Sequence, residues 1–189
     1  RYIMGLYDCL ERIFAPRPDI LFESCSSGGN RFDLGMLCYS PQIWTSDDTD
    51  PIERLDIQTG LSYLYPQSCM GAHVSAAPHQ QTLRNTPLST RFNVAAFGVL
   101  GYELDLKYLT PIELREIKEQ IRYYKKHRAC FQFGRLRRFD ELRDNTVHLQ
   151  VSSPDGRAHI AGHFQKLCTA SPGGDELRVM GLVSGRHYK

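Results

Sequence analysis

No C-x-x-C pair occurs, although six cysteines stand at positions 9, 25, 38, 69, 130 and 168. That spacing argues against a structural zinc site, and no metal is expected. At 189 residues and 41% hydrophobic, the chain holds enough apolar material to fold without a disulfide scaffold. The cysteines are therefore expected to be reduced thiols of a cytoplasmic protein, with secretion as the alternative. No apolar run approaches the roughly 20 residues of a membrane span, so no membrane partner is expected. Neither sign of charge dominates: 23 basic against 21 acidic residues leave a net +2, without the basic surplus on which nucleic-acid affinity rests. Neither G-K-[ST] nor G-x-G-x-x-G is present, which removes the usual phosphate cradles, and no cofactor is expected. No signal-peptide pattern opens the chain. It starts with Arg1 rather than methionine, so a piece of a longer protein is expected.

What is present alternates between helix and strand. Tyr2 to Phe14 carries Ile3, Leu6, Tyr7, Leu10, Ile13 and Phe14 at the spacing of one helical face. "ILFESC" (20–25) reads as a buried strand, "SSGGN" (26–30) as a glycine turn, 32–38 as a short helix and 41–45 as a strand. Asp50 as N-cap, Pro51 at the first helical position and Glu53 at the third mark the next helix. Strands are expected at 70–76 and 98–104, with a helix from Thr86-Pro87 to Phe97 between them. Thr110-Pro111-Ile112-Glu113 opens a long helix by the same cap logic. Four successive strand–helix units imply a parallel sheet under helices, either open or half of an eight-stranded barrel. After about Arg138 the pattern becomes antiparallel: strands at 146–153, 157–167 and 176–183, a "PDG" turn and a "TASPGGD" loop. Val147, Leu149 and Val151 alternate with polar residues there, as in a half-buried strand.

The most unusual stretch is "PQIWTSDDTD" (41–50), which crowds Asp47, Asp48 and Asp50 behind the chain's single tryptophan. A plain polar loop, an oxygen-ligand cation site and a carboxyl used in acid/base catalysis all fit this composition. In a parallel barrel the catalytic groups stand at the C-terminal ends of strands. Asp50 is assigned to the helix cap. Asp47 follows the strand most directly and is best placed to face the barrel mouth, whereas Asp48 points away and holds the loop. "ESCSSGGNRFD" (23–33) also follows a strand, and its glycines let backbone approach a ligand. Glu23 shares the inward face with Cys25, two positions on, and reads as a carboxylate of the barrel core or one that supports the residues touching substrate. His73 lies on a strand and could reach the mouth or serve as a core histidine. "KKHRACFQFGRLRR" (125–138) mixes basic and aromatic residues, a pattern that can hold single strands, but a basic helix end explains it as well.

Together these stretches carry a specific resemblance. "FESCSSGGNRFDLGMLCYSPQIWTSDDTDPIERLDIQTGLSYLYP", with "MGAHVSAAPHQQTLRNTP" (70–87), "FGVLGYELDL" (97–106) and "QFGRLRR" (132–138), resembles glycoside hydrolase family 36, the bacterial-type α-galactosidases. The resemblance implies the second half of a (β/α)8 TIM barrel over 1–138 and a truncated antiparallel β-domain over 139–189. It implies retaining hydrolysis of terminal α-D-galactosides of the melibiose and raffinose type. Asp47 would be the general acid/base, Cys25 and Gly28 would contact galactose, and Trp44, Glu23, Ser27 and His73 would stand behind them. Galactosyl transfer of the raffinose-synthase type and α-N-acetylgalactosaminidase activity remain alternatives, as does, more remotely, a nucleic-acid-binding module. The family's nucleophile lies in a K-W-D-x-N stretch, and none occurs here. A fragment with an acid/base, no nucleophile and no activity alone is therefore expected, from a parent that forms a homo-oligomer, a tetramer by analogy. Ser27 and Asn30 stand where the family has glycine; Asn30 is read as tolerating a left-handed backbone and Ser27 as placing a hydroxyl near the sugar.

Overall fold

The computed structural model describes residues 1–139, 145–168, 170–171, 173–174 and 176–188. The chain divides into two compact units, Arg1–Leu114 and Arg115–Lys189.

In the first unit, helix α1 (Tyr2–Phe14) leads to strand β1 (Glu23–Ser24), a single turn α2 (Ser26–Gly29), helix α3 (Leu34–Leu37) and strand β2 (Gln42–Trp44). Helix α4 (Pro51–Leu61), strand β3 (Met70–Ser75), helix α5 (Leu88–Ala95) and strand β4 (Val99–Glu103) follow, before helix α6 (Pro111–Phe133) begins. The strands pair in sequence order, all parallel. This is the succession expected of four βα units in the second half of a (β/α)8 barrel. The N-caps read from sequence at Asp50 and Thr110 form, and a further one forms at Asp33. Asp33 accepts from the Met36 N–H at 2.8 Å and Asp50 from the Ile52 N–H at 2.8 Å. Thr110 and Glu113 bond each other reciprocally at the start of α6.

Strand register sorts the side chains into two faces. Glu23 stands beside Gln42, Trp44 beside Gly71, His73 beside Gly101 and Ser75 beside Glu103, so these residues share one face of the sheet. The alternate residues Ile43, Met70, Ala72 and Val74 are buried on the other. Ile43 packs with Leu10 and Met36, and Tyr7, Phe14 and Phe22 lie against that cluster. Each such buried aliphatic contributes about 1.5–3 kcal/mol.

Two expectations for this unit need correction. The strand at 20–25 shrinks to Glu23–Ser24, with Ile20 and Leu21 exposed; among the described residues β1 pairs with β2 alone, and the Ser40 hydroxyl takes the Ser24 N–H at 2.9 Å. Asn30 is right-handed, with φ −59°. The left-handed residues of this turn are Ser27 (φ 58°), Gly28 (φ 74°) and Gly29 (φ 84°).

In the second unit, strands β5 (Arg135–Phe139), β6 (Thr146–Ser152) and β7 (His159–Gln165) form an antiparallel sheet with β6 in the middle. The antiparallel pattern thus begins at Arg135, earlier than expected, because "RLRRF" pairs with β6. Strand β6 is buried on both faces rather than one: His148, Gln150 and Ser152 are as inaccessible as Leu149 and Val151. Residues 176–183 form no strand. Both edges of β6 are occupied, Gly181 turns left-handed at φ 83°, and the Gln150 amide captures the Met180 backbone, donating to its carbonyl and accepting from its N–H at 2.8 Å. The "PDG" turn forms, closed by a Gly156 N–H to Ser153 carbonyl bond of 2.9 Å. The "TASPGGD" loop lies partly on 169, 172 and 175, outside the described residues.

Candidate active site

The C-terminal ends of β1 and β2 bring the glycine turn and the aspartate cluster together. The Gly29 N–H donates to the Cys25 carbonyl at 2.9 Å, folding the turn back onto β2. A Cβ on Gly29 would sit 2.7 Å from both the Trp44 and the Thr45 carbonyl oxygens, so the turn can close against β2 only with glycine there. At Gly28 a Cβ would sit 3.4 Å from the Asp47 carboxyl, including Oδ2. Gly28 and Asp47, 19 positions apart in sequence, are thus neighbours with no side chain of residue 28 between them.

The three aspartates do three different things. Asp47 is exposed, and its Oδ1 accepts the Trp44 indole N–H at 2.8 Å. Asp48 accepts the Asp50 N–H at 3.1 Å, the bond that a capping box would draw from Glu53. Glu53 instead pairs with Arg84. Asp50 is 0% exposed and takes the Ile52 N–H, the Thr82 hydroxyl and the Arg84 guanidinium. Burial pushes its carboxyl up, but those donors, Thr82 foremost, more than offset this and hold it below the usual aspartate range. Among the described residues, no group of three or more histidine, cysteine or acidic side chains is placed to hold a metal ion.

Trp44 links Asp47 to the neighbouring strands. Its ring lies 4.4 Å from that of His73, and His73 Nδ1 meets Glu103 Oε2 at 3.2 Å. The imidazole covers Gly101, where a Cβ would fall 2.5 Å from it. Asp47, Gly28, Trp44 and His73 thus form one continuous set. Glu23 takes the Gln42 amide at 3.0 Å on the same sheet face. Cys25 carries an exposed free thiol, and Ser27 is exposed, its carbonyl accepting the Asn30 amide at 2.9 Å. Beside this set, Thr49, Ser75, Pro78, His79, Gln80 and Glu103 line a cavity of about 100 Å³.

Sequence reading overlooked Arg54. This side chain is 2% exposed and donates to the carbonyls of Ser46 (2.6 Å), Asp48 (2.7 Å) and Gly71 (3.1 Å). Its guanidinium carbon lies 4.8 Å from the Trp44 ring centroid. Burial lowers its pKa to about 10, against the opposing pull of Asp48, Glu103 and Asp47, so it stays cationic at neutral pH. The available signal was its place on the buried stripe of α4 with Pro51, Leu55 and Gln58.

Comparisons with known proteins agree on one family. The Melibiase family profile matches residues 1–134. The chain is 44% identical over 195 residues to Alpha-galactosidase Mel36A of Lactobacillus acidophilus, covering 100% of this chain and 26% of that protein. It is 45% identical over 190 residues to Alpha-galactosidase AgaA of Geobacillus stearothermophilus, again covering 100% and 26%. A crystal structure of a variant of that GH36 enzyme in complex with raffinose superposes with a TM-score of 0.92 at 44% identity, over 97% of this chain and 26% of the other. The chain therefore spans about a quarter of the length of the curated relatives it matches.

Proposed function

This chain belongs to the Melibiase family, and on that premise we propose that it forms the acid/base side of an active site hydrolysing terminal α-D-galactosides of the raffinose type with retention. The observation that carries the reading is the setting of the Asp47 carboxyl. It stands past the C-terminal end of β2, one oxygen is tied to the Trp44 indole, and the other lies beside Gly28, where no side chain blocks approach.

In this reading Asp47 donates a proton to the glycosidic oxygen as the bond breaks, then takes one from the water that releases galactose. Cys25 and Gly28 contact the sugar, and Ser27 presents its hydroxyl from the same turn. Trp44 orients Asp47, and His73 and Glu103 back the indole; Glu23, exposed on the same sheet face rather than in the core, holds the Gln42 amide. Retention requires a second carboxylate about 5–5.5 Å from the first. With no K-W-D-x-N stretch among the 189 residues, that nucleophile is supplied by further polypeptide.

The test compares p-nitrophenyl α-galactoside hydrolysis by the full-length polypeptide that carries these residues with that by the 189-residue chain alone. An active full-length protein and a silent chain are expected. Turnover by the chain alone would place a nucleophile within it, and an inactive full-length protein would overturn the assignment.

A further inference from the structure

We propose that Arg54 is the positioning residue of the acid/base, setting the Asp47 carboxyl through both the backbone around it and the indole that binds it. The proposal rests on the acid/base reading of Asp47. The three carbonyls that Arg54 engages are not a random set. Ser46 and Asp48 are the residues immediately before and after Asp47, and their bonds to Nη2 and Nε, 2.6 and 2.7 Å, are the shorter two. The third, Gly71, is the β3 residue in register with Trp44, and its carbonyl also accepts the Thr45 hydroxyl at 2.8 Å. One planar guanidinium therefore fixes the loop on both sides of Asp47 and references it to the neighbouring strand. The same group lies over the Trp44 ring, whose N–H holds Asp47 Oδ1.

Only arginine can do this from α4. Its donors diverge in one plane, so three carbonyls on two segments are reached at once. Lysine would offer a point charge and lose the fixed directions. A guanidinium this buried would be costly unless its donors were satisfied, and the carbonyls satisfy them on Nε, Nη1 and Nη2 alike. Arg91 of α5 donates comparably to the Ser75 carbonyl at 2.5 Å, at the end of β3, but its target does not flank a carboxyl at the site.

The distinguishing experiment uses leaving-group dependence in the full-length polypeptide. Cleavage of raffinose expels sucrose, a poor alkoxide leaving group that needs the proton from Asp47, whereas p-nitrophenolate leaves without it. The ratio of kcat/KM for the two substrates is independent of how much enzyme is folded. Arg54→Lys is expected to lower kcat/KM for raffinose about 10- to 100-fold more than for p-nitrophenyl α-galactoside, the scale of a small misplacement of a reacting group. Asp47→Asn, measured alongside, should show the same asymmetry more strongly, about 10²- to 10⁴-fold. If Asp47→Asn shows it and Arg54→Lys lowers both substrates equally, Arg54 is merely structural and the inference is overturned. If Asp47→Asn leaves the ratio unchanged, the acid/base reading beneath it fails instead. Should Arg54→Lys not fold, Arg54→Gln, which keeps a planar donor without charge, yields the same ratio.

Discussion

The Trp44 indole N–H donates to Asp47 Oδ1 at 2.8 Å, across three positions of one chain segment. The bond consumes one carboxyl oxygen and fixes the rotation of the other. Trp44→Phe keeps a ring against His73 and Arg54 but deletes the donor. Raffinose turnover by the full-length protein should fall about 10- to 100-fold, mostly in kcat, as expected when a reacting group is misaligned rather than lost. Steady-state kinetics on raffinose check this; a change confined to KM would contradict it.

The glycine turn discriminates between its members. Gly29→Ala drives a Cβ to 2.7 Å from two backbone carbonyls at φ 84°, and neither carbonyl can move without breaking the end of β2. It should destabilise by more than about 3 kcal/mol. Gly28→Ala meets Asp47 only at 3.4 Å and should cost about 1–2 kcal/mol for its φ of 74°, with the larger loss in activity. Denaturant unfolding combined with raffinose assays separates the two.

Ser27 is the reverse case. It holds φ 58° without being glycine, with the Asn30 amide on its carbonyl at 2.9 Å. Ser27→Gly should therefore stabilise the protein by about 1 kcal/mol, read as a raised denaturation midpoint. A lowered midpoint would show that the hydroxyl holds the turn.

Asp50 makes stability depend on acid. Its folded carboxyl titrates below the ordinary aspartate value of 3.8 despite burial, because Thr82, Ile52 and Arg84 donate to it. The stabilisation is complete at neutral pH and is lost as pH falls below about 4 through the depressed folded value. Asp50→Asn should destabilise by about 1 kcal/mol at pH 7, and the gap to wild type should narrow progressively as pH falls below about 4. A gap that persists in acid would mean that the carboxylate charge is not what holds the cap.

Much of this architecture is legible in the sequence because short-range chemistry governs it. Asp50 and the Thr110–Glu113 box act within three residues of themselves, so the caps they predict form where expected. What fails depends on partners distant in the chain. "RLRRF" becomes a strand only because β6 accepts it, and in 176–183 the Gln150 side chain, 30 positions away, takes both backbone groups of Met180. Glu53 has the spacing of a capping box yet turns to Arg84, 31 positions away, while Asp48 closes the cap. Arg54 reads as an ordinary helix charge until the β2–α4 loop and β3 bring three carbonyls to it.

The most direct measurement of Asp47's role is the anomeric form of the product that Asp47→Ala gives with azide in the full-length protein. In a retaining α-galactosidase the covalent intermediate is β-linked, and azide entering where Asp47 has been removed attacks the opposite face. Restored turnover and α-galactosyl azide, identified by NMR, are expected if Asp47 is the acid/base. β-Galactosyl azide would show that Asp47 is the nucleophile, and undiminished raffinose hydrolysis by Asp47→Ala without azide would remove it from the chemistry altogether.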